Sequence, residues 1–342
     1  MYPTIKQERS QLIQYHQYLT NGHTELLDEY AMSLFRYQYK YNPIYRQFCT
    51  SIGKSDKNVL QKNEIPHLPI SAFKYREIKS GQFDHEEIFT SSGTTHSLRS
   101  SHYVRDVSFY RQHATHLWQK HFDHPGKYCF LALLPGYMDR EGSSLISMVD
   151  HFIQLSDYSV SGFYLRDHGA LADAIQLCRG KNIPVVLFGV THALLDFGDV
   201  YSHAHPQLII VETGGMKGRK QELTKKELHQ TFRALWATDK VYSEYGMTEM
   251  LSQVYSESNG CFKQHEFLQV QTKQINDPLS NERLGKPGIL CVTDLANIDS
   301  CAFIQTEDLG ILHDDQTFEI VGRQDASDLR GCNLLLHEAG IH

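Results

Sequence analysis

Residues 128–134, YCFLALL, followed at once by Pro135-Gly136, decide the fold class. Seven residues without a charge, rich in bulky apolar side chains and closed by a turn dipeptide, read as a strand buried on both faces. The same kind of short apolar run returns at 184–189 and 208–211, and a fourth strand reads over 240–245. Residues 159–165 form a further strand of alternating character. Helical periodicity fills the spaces, over 106–121, 143–155, 171–179 and the charged stretch 222–235. Strands that alternate with helices pair in parallel, with helices covering the sheet, so this part of the chain is α/β. Ligands in such folds bind at the carboxyl ends of the strands. The polar tips 213–218 and 244–249 are therefore the places to look for a site.

Outward from this core the pattern changes. Residues 4–52 carry Leu, Ile, Tyr and Phe at three- and four-residue spacing and predict a helical N-terminal segment, whose aromatic stripe reads as packing. Pro66 and Pro69 force the IPHLPIS stretch to be extended. From Gly288 onward, GILCVTDL, CAFIQTEDLG and TFEIVGR are strand-like runs separated by turns with no helix between them. They predict an antiparallel, barrel-like or meander subdomain. The expected division is an α/β core over 1–285 and a β-rich subdomain with a short tail over 286–342.

Composition bounds the function. The chain has 342 residues, 41% hydrophobic and 21% charged, with net charge −7. An acidic balance argues against a nucleic-acid binder. The seven cysteines form no C-x-x-C pair, which reads as reduced thiols rather than a zinc or disulfide framework. MYPTIKQERS lacks an apolar signal core, and the apolar runs are too short for a membrane span, so a cytoplasmic location is expected. His113, His116, His121 and His124 fit no zinc spacing and read as a solvated helix face. Neither G-x-S-x-G nor G-x-x-x-x-G-K-[ST] occurs, which argues against a serine hydrolase and a Walker-type ATPase.

Between the helical segment and the first buried strand lies FTSSGTTHSLR, residues 89–99. No apolar period runs through it. It is either a polar linker or a loop whose hydroxyls and N–H groups wrap an anion. Its meaning depends on three further polar loops in chain order: ETGGMKG (212–218), SEYGMTE (243–249) and QTEDLG (305–310), followed by VGRQD (321–325). In this order the set resembles the adenylate-forming superfamily, which includes acyl-CoA synthetases and peptide-synthetase adenylation domains. LLPGYMDREGSSL (133–145), ETGGMKGRKQELT (212–224) and SDLRGCNLL (327–335) are similar to one branch, the acyl-protein synthetases, long-chain-fatty-acid–protein ligases of the bacterial bioluminescence fatty acid reductase type. The resemblance runs over nearly the whole chain.

What the resemblance implies is an ATP- and Mg2+-dependent ligase. It would convert a carboxylic acid, foremost a fatty acid, to acyl-AMP and hand the acyl group to a thiol. The thiol would be its own cysteine, a carrier protein, a reductase subunit or CoA. A phenylacetate-type aryl-acid CoA ligase and a non-catalytic nucleotide-binding subunit are the alternatives. By the same resemblance Ser91, Ser92, Gly93, Thr94 and Thr95 would hold the β- and γ-phosphates. Thr248 would meet the α-phosphate and Glu249 the metal. Gly214, Gly215, Met216, Tyr245 and Gly246 would line the adenine. Asp308 would take the ribose hydroxyls, and Arg323 would donate to ribose or phosphate. Taken singly, Asp308 reads equally as a turn residue and Glu249 as a helix N-terminal acid. Cys332 would carry the acyl group, or is an inert packed thiol. The chain departs from the larger superfamily members in three ways. The sequence reaches His342 soon after VGRQD, so the mobile domain that carries their catalytic lysine is expected to be absent; the Ser/Thr loop lacks the usual Lys that follows it, with His96 and Arg99 nearby instead; and the ribose motif reads TED in place of TGD.

Overall fold

The computed structural model describes residues 4–91, 98–135, 141–214, 223–256, 260–324, 335–337 and 339–341. The chain divides into two compact units. One comprises Met1–His113, Met247–Ser252 and Gln264–His342, the other Ala114–Gly246 and Gln253–Lys263.

The first unit packs helices on an antiparallel sheet. Its helices Ile5–Thr20, Leu27–Tyr41 and Pro43–Ser51 answer the expected helical segment. Thr4 opens the first with a reciprocal capping box to Gln7. Asn42 opens the third, accepting from the Tyr45 N–H, with Pro43 in the first helical turn where its missing N–H costs nothing. Strands Leu268–Lys273, Pro287–Asp294, Phe303–Leu312 and Thr317–Arg323 form a meander, each antiparallel to the next. Leu68–Pro69 adds to Phe303–Leu312 in parallel, as the extended IPHLPIS stretch requires. Tyr45 stacks on Phe303 at 6.0 Å, and Gln38 ties the helices to the 297–302 turn through Asn297, Ile298 and Ala302.

The second unit is a parallel sheet in the order Gly162–Phe163, Cys129–Leu133, Val185–Val190, Ile209–Thr213, Val241–Tyr245, finished by the antiparallel Val254–Tyr255. Cys129–Leu133, Val185–Val190 and Ile209–Thr213 are buried at every residue, which is why their sequences run apolar without alternation. Helices Ser144–Leu155, His168–Gly180, Thr191–Val200 and Lys225–Trp236 connect them. Trp118, Phe122, Phe130, Phe152 and Tyr255 make an aromatic cluster at one end of this core.

Four expectations are revised. The strand expected over 159–165 shrinks to Gly162–Phe163, because Leu165 takes a left-handed backbone (φ 51°) and the Asp167 N–H closes a turn on Tyr164. The helix expected from 222 starts at Lys225, where Thr224 caps it with a box to Glu227. The boundary at 285/286 does not separate compact units: Leu268–Lys273 pairs with Pro287–Asp294 over six residues, so a cut there would split one sheet. His113 is not on a solvated helix face. It is buried, with Nε2 2.8 Å from Ser252 Oγ and Nδ1 3.0 Å from His16 Nε2. Among the described residues no helix is long and apolar enough to cross a membrane.

Candidate functional site

In the first unit, two paired strands flank the Ser/Thr loop. Glu87–Thr90 and Ser101–Val104 pair antiparallel in strict register, a pairing that the polar sequence around the loop did not announce. Two bonds tie the loop's ends: the Ser91 N–H donates to the Ser100 carbonyl (3.1 Å), and the Ser100 N–H donates to Ser91 Oγ (3.0 Å). Ser92, Gly93, Thr94 and Thr95 lie outside the described residues, as do Gly215, Met216 and Cys332.

The base of this hairpin meets Glu249. Ser100 favours the ionised form of the Glu249 carboxyl, which is 5% exposed. Burial pushes the Glu249 carboxyl above its ordinary range, while Ser100 and the positive charges of Lys74 and Arg323 pull it back. Lys74 and Arg323 converge on Glu307, Lys74 Nζ at 3.0 Å from Oε1 and Arg323 Nη2 at 2.9 Å from Oε2. Asp308 stands opposite Arg323 in the strand pairing, its Oδ1 3.9 Å from Arg323 Nε. One face of one unit therefore holds the hairpin base, a buried acid, two cations, Glu307 and Asp308. Thr248 adjoins it, its carbonyl accepting from His102 Nδ1 at 2.8 Å. A backbone carbonyl can only accept, so His102 carries its proton on Nδ1, and burial holds its pKa down at about 4.

A single buried carboxylate with one hydroxyl beside it is no cage for a bare divalent ion. It suits a magnesium ion that arrives with phosphate oxygens and keeps several waters, which is how that ion is commonly bound. The donor set fits such a group.

In the second unit, the remaining described residues gather at the carboxyl ends of Ile209–Thr213 and Val241–Tyr245. Gly214 has φ +76°, a backbone that only glycine takes without strain. A Cβ at Gly246 would lie 2.6 Å from Glu244 Oε1, so a larger residue there would have to displace the Glu244 carboxylate. Tyr245 sets its ring 5.9 Å from Phe262. Beneath them lie two buried acids. Glu212 is fully buried and takes Thr191 Oγ1 at 2.6 Å, Lys225 Nζ at 2.5 Å and the Ser243 hydroxyl. Glu244 takes Thr213 Oγ1 at 2.5 Å, and its carboxyl is pushed up to about 7 by burial, with Thr213 opposing and the charge of Glu212 adding to the rise.

The site residues named from sequence thus divide. Ser91, Thr248, Glu249, Asp308 and Arg323 belong to the first unit, and Gly214, Tyr245 and Gly246 to the second. Sequence reasoning did not pick out Lys74, Ser100, Glu244 or Glu307. Two left a signal, Glu244 as the first residue of the polar tip 244–249 and Glu307 as the unusual middle residue of the TED motif.

With this geometry in hand, the chain can be set beside known proteins. The model of the family described as "Acyl-protein synthetase, LuxE" matches residues 16–119. A long-chain-fatty-acid–luciferin-component ligase of Vibrio harveyi is 24% identical over 92% of this chain and 88% of its own length. The ligase of the same name from Aliivibrio fischeri is 24% identical over 91% and 87%. The chain is similar to the acyl-protein synthetases. Among solved structures, a 2-hydroxyisobutyryl-CoA ligase in complex with 2-HIB-AMP and CoA superposes with a TM-score of 0.65 at 12% identity, over 87% of this chain and 68% of that one. ATP-bound MatB of Rhodopseudomonas palustris superposes with a TM-score of 0.52 at 14% identity, over 71% and 49%. The fold expected from the four loops, that of the adenylate-forming ligases, is the fold of this chain.

Proposed function

We propose that the protein is a cytoplasmic acyl-adenylate-forming ligase. It activates a carboxylic acid, foremost a fatty acid, with ATP and passes the acyl group to a thiol. The observation that carries this reading is the placing of the Ser/Thr loop's ends beside Glu249: Ser91 and Ser100 bond each other, and Ser100 favours the ionised form of the buried acid.

The chemistry sets the demands. A carboxylate oxygen forms a bond to the α-phosphorus, the bond from that phosphorus to the β-phosphate oxygen breaks, and pyrophosphate leaves with the electron pair. A thiolate then attacks the acyl carbon, and AMP leaves. The first step builds negative charge on phosphate oxygens, which must be met by groups already in place. The hydroxyls and N–H groups of residues 91–95 grip the leaving pyrophosphate. Thr248 donates to the α-phosphate, and Lys74 and Arg323 add positive charge beside Glu249. Glu249 would hold a magnesium ion, which would supply charge neutralisation when bound. Asp308 accepts from the ribose hydroxyls, and Gly214, Gly215, Met216, Tyr245 and Gly246 give the adenine a flat wall. The acceptor thiol is Cys332, a carrier protein, a reductase subunit or CoA.

The test is ATP–pyrophosphate exchange driven by a panel of fatty and aryl acids. Fatty acids are expected to drive exchange, and Glu249→Gln is expected to lower it at least about 100-fold, the loss typical of a displaced charge-stabilising group. Exchange with aryl acids alone would make this an aryl-acid ligase. ATP binding without exchange for any acid would leave a nucleotide-binding subunit.

A further inference from the structure

The segment Met247–Ser252, which carries Thr248 and Glu249, is held in place by side chains. His102 Nδ1 donates to the Thr248 carbonyl at 2.8 Å, and Asn297 Nδ2 donates to the Glu249 carbonyl at 2.8 Å. Asp294 then takes the other end. Its Oδ2 accepts the N–H groups of Leu251 (2.6 Å) and Ser252 (3.1 Å), and its Oδ1 accepts the Ser252 hydroxyl (2.6 Å) and the Ala296 N–H (3.2 Å). All four partners are donors, so a proton on this carboxyl would face a donor, and the geometry favours the anion although burial pushes its pKa up. Asp294 and Asn297 are at most 1% exposed.

Proton bookkeeping extends the set. Ser252 has one hydroxyl proton and gives it to Asp294, so its oxygen accepts from His113 Nε2–H at 2.8 Å. In the neutral ring this leaves His113 Nδ1 to accept from His16 Nε2–H, 3.0 Å away. The chain His16, His113, Ser252, Asp294 therefore has one polarity, and all its members are buried.

We propose that this relay is the positioning device of the Thr248–Glu249 segment. Asp294, Ser252, His113 and His16 touch no substrate. They fix where the Glu249 carboxylate stands, and so the place at which it would hold a metal ion. The proposal rests on the adenylating reading above. A displacement of about 1 Å at such a group is enough to cost up to about 100-fold in rate, whereas an ordinary core contact would change stability alone.

Ser252→Ala breaks the relay at its centre and leaves the His113 N–H without an acceptor. In the exchange assay, kcat per folded protein is expected to fall at least about tenfold and the Mg2+ concentration for half-maximal rate to rise several-fold. Ser252→Thr restores the hydroxyl and is expected to return both to within about threefold of wild type. Wild-type kcat, KM for MgATP and Mg2+ dependence in Ser252→Ala, whatever its melting temperature, would overturn the proposal. Should that variant not fold, His16→Phe probes the far end of the relay, where the ring can pack on Phe109 and Phe267. An unchanged Mg2+ dependence there would overturn it equally, and a raised requirement supports it. If wild type shows no exchange with any acid, the adenylating reading fails on its own. The relay is then read by amide hydrogen exchange at Leu251 and Ser252. Faster exchange there in Ser252→Ala, with Ile209–Thr213 unchanged, supports the relay; wild-type protection overturns it.

Discussion

Asp294 in the first unit and Glu244 in the second are both buried carboxylates at the end of a strand, yet their surroundings differ in kind. Asp294 collects four donors, three backbone amides or hydroxyls from the 251–252 segment and one from its own turn. Glu244 has the Thr213 hydroxyl on one oxygen and the negative charge of Glu212 nearby. One strand over, Lys225 goes to Glu212 and not to Glu244. Burial raises the pKa of both acids. The difference teaches that the number of donors, more than burial, decides what a buried acid is for. Asp294 is a fixed acceptor that organises backbone, and Glu244, at about 7, is a group able to change charge under working conditions.

The largest expected effect separates the two directly. Asp294→Ala orphans the Leu251, Ser252 and Ala296 N–H groups in a dry interior and is expected to cost roughly 3–5 kcal/mol of unfolding free energy. Glu244→Gln at pH 8 removes a buried charge instead and is expected to be neutral or stabilising. Urea denaturation of both variants measures the gap, and equal losses would break the comparison.

The next effect is a pH dependence. Glu244's folded pKa is raised to about 7, so its contribution to stability is fully present below the ordinary carboxylate pKa and is lost as pH rises through about 7. The whole change is at most roughly 3 kcal/mol. Between about pH 5 and 8, wild type should therefore lose stability relative to Glu244→Gln, with the sign of the difference turning over. A difference that stays constant across that range would show that Glu244 does not titrate there.

How much of this was legible in sequence follows from the range of the interactions. The parallel sheet was readable because strands buried on both faces must be continuously apolar, as YCFLALL is. Leu268–Lys273 escaped notice because the half-buried Gln269 and Gln271 give it the look of a loop, although its burial alternates strictly. The hairpin around the Ser/Thr loop was hidden by its polar flanks, and helix Thr191–Val200 by its Asp and Gly content. The order of the four loops, through the family resemblance, named Ser91, Thr248, Glu249, Asp308 and Arg323. The residues that position them were out of reach. Asp294 meets Ser252 across 42 residues, His113 meets Ser252 across 139, and His16 meets His113 across 97, and no local pattern encodes such pairs. His113 was misread for the same reason: its helix periodicity does not say which face another segment will cover.

The smallest effect tests whether donor number is the cause of the contrast. Thr213→Val keeps the shape of the side chain and removes the hydroxyl that donates to Glu244. Because that bond favours the ionised form, its loss should push the Glu244 midpoint above about 7, by a unit or less, as read from the carboxyl carbon resonance across a pH titration. Stability should fall by about 1 kcal/mol at pH 8, where the acceptor is a carboxylate, and by less at pH 5, where the carboxyl holds its own proton. Thr191→Val is the matched control, since it takes a hydroxyl from Glu212 and leaves Glu244's own bond intact. If Thr191→Val moves the Glu244 midpoint and Thr213→Val does not, then the charge on Glu212 sets the titration. The contrast with Asp294 would then rest on a neighbouring anion rather than on a shortage of donors.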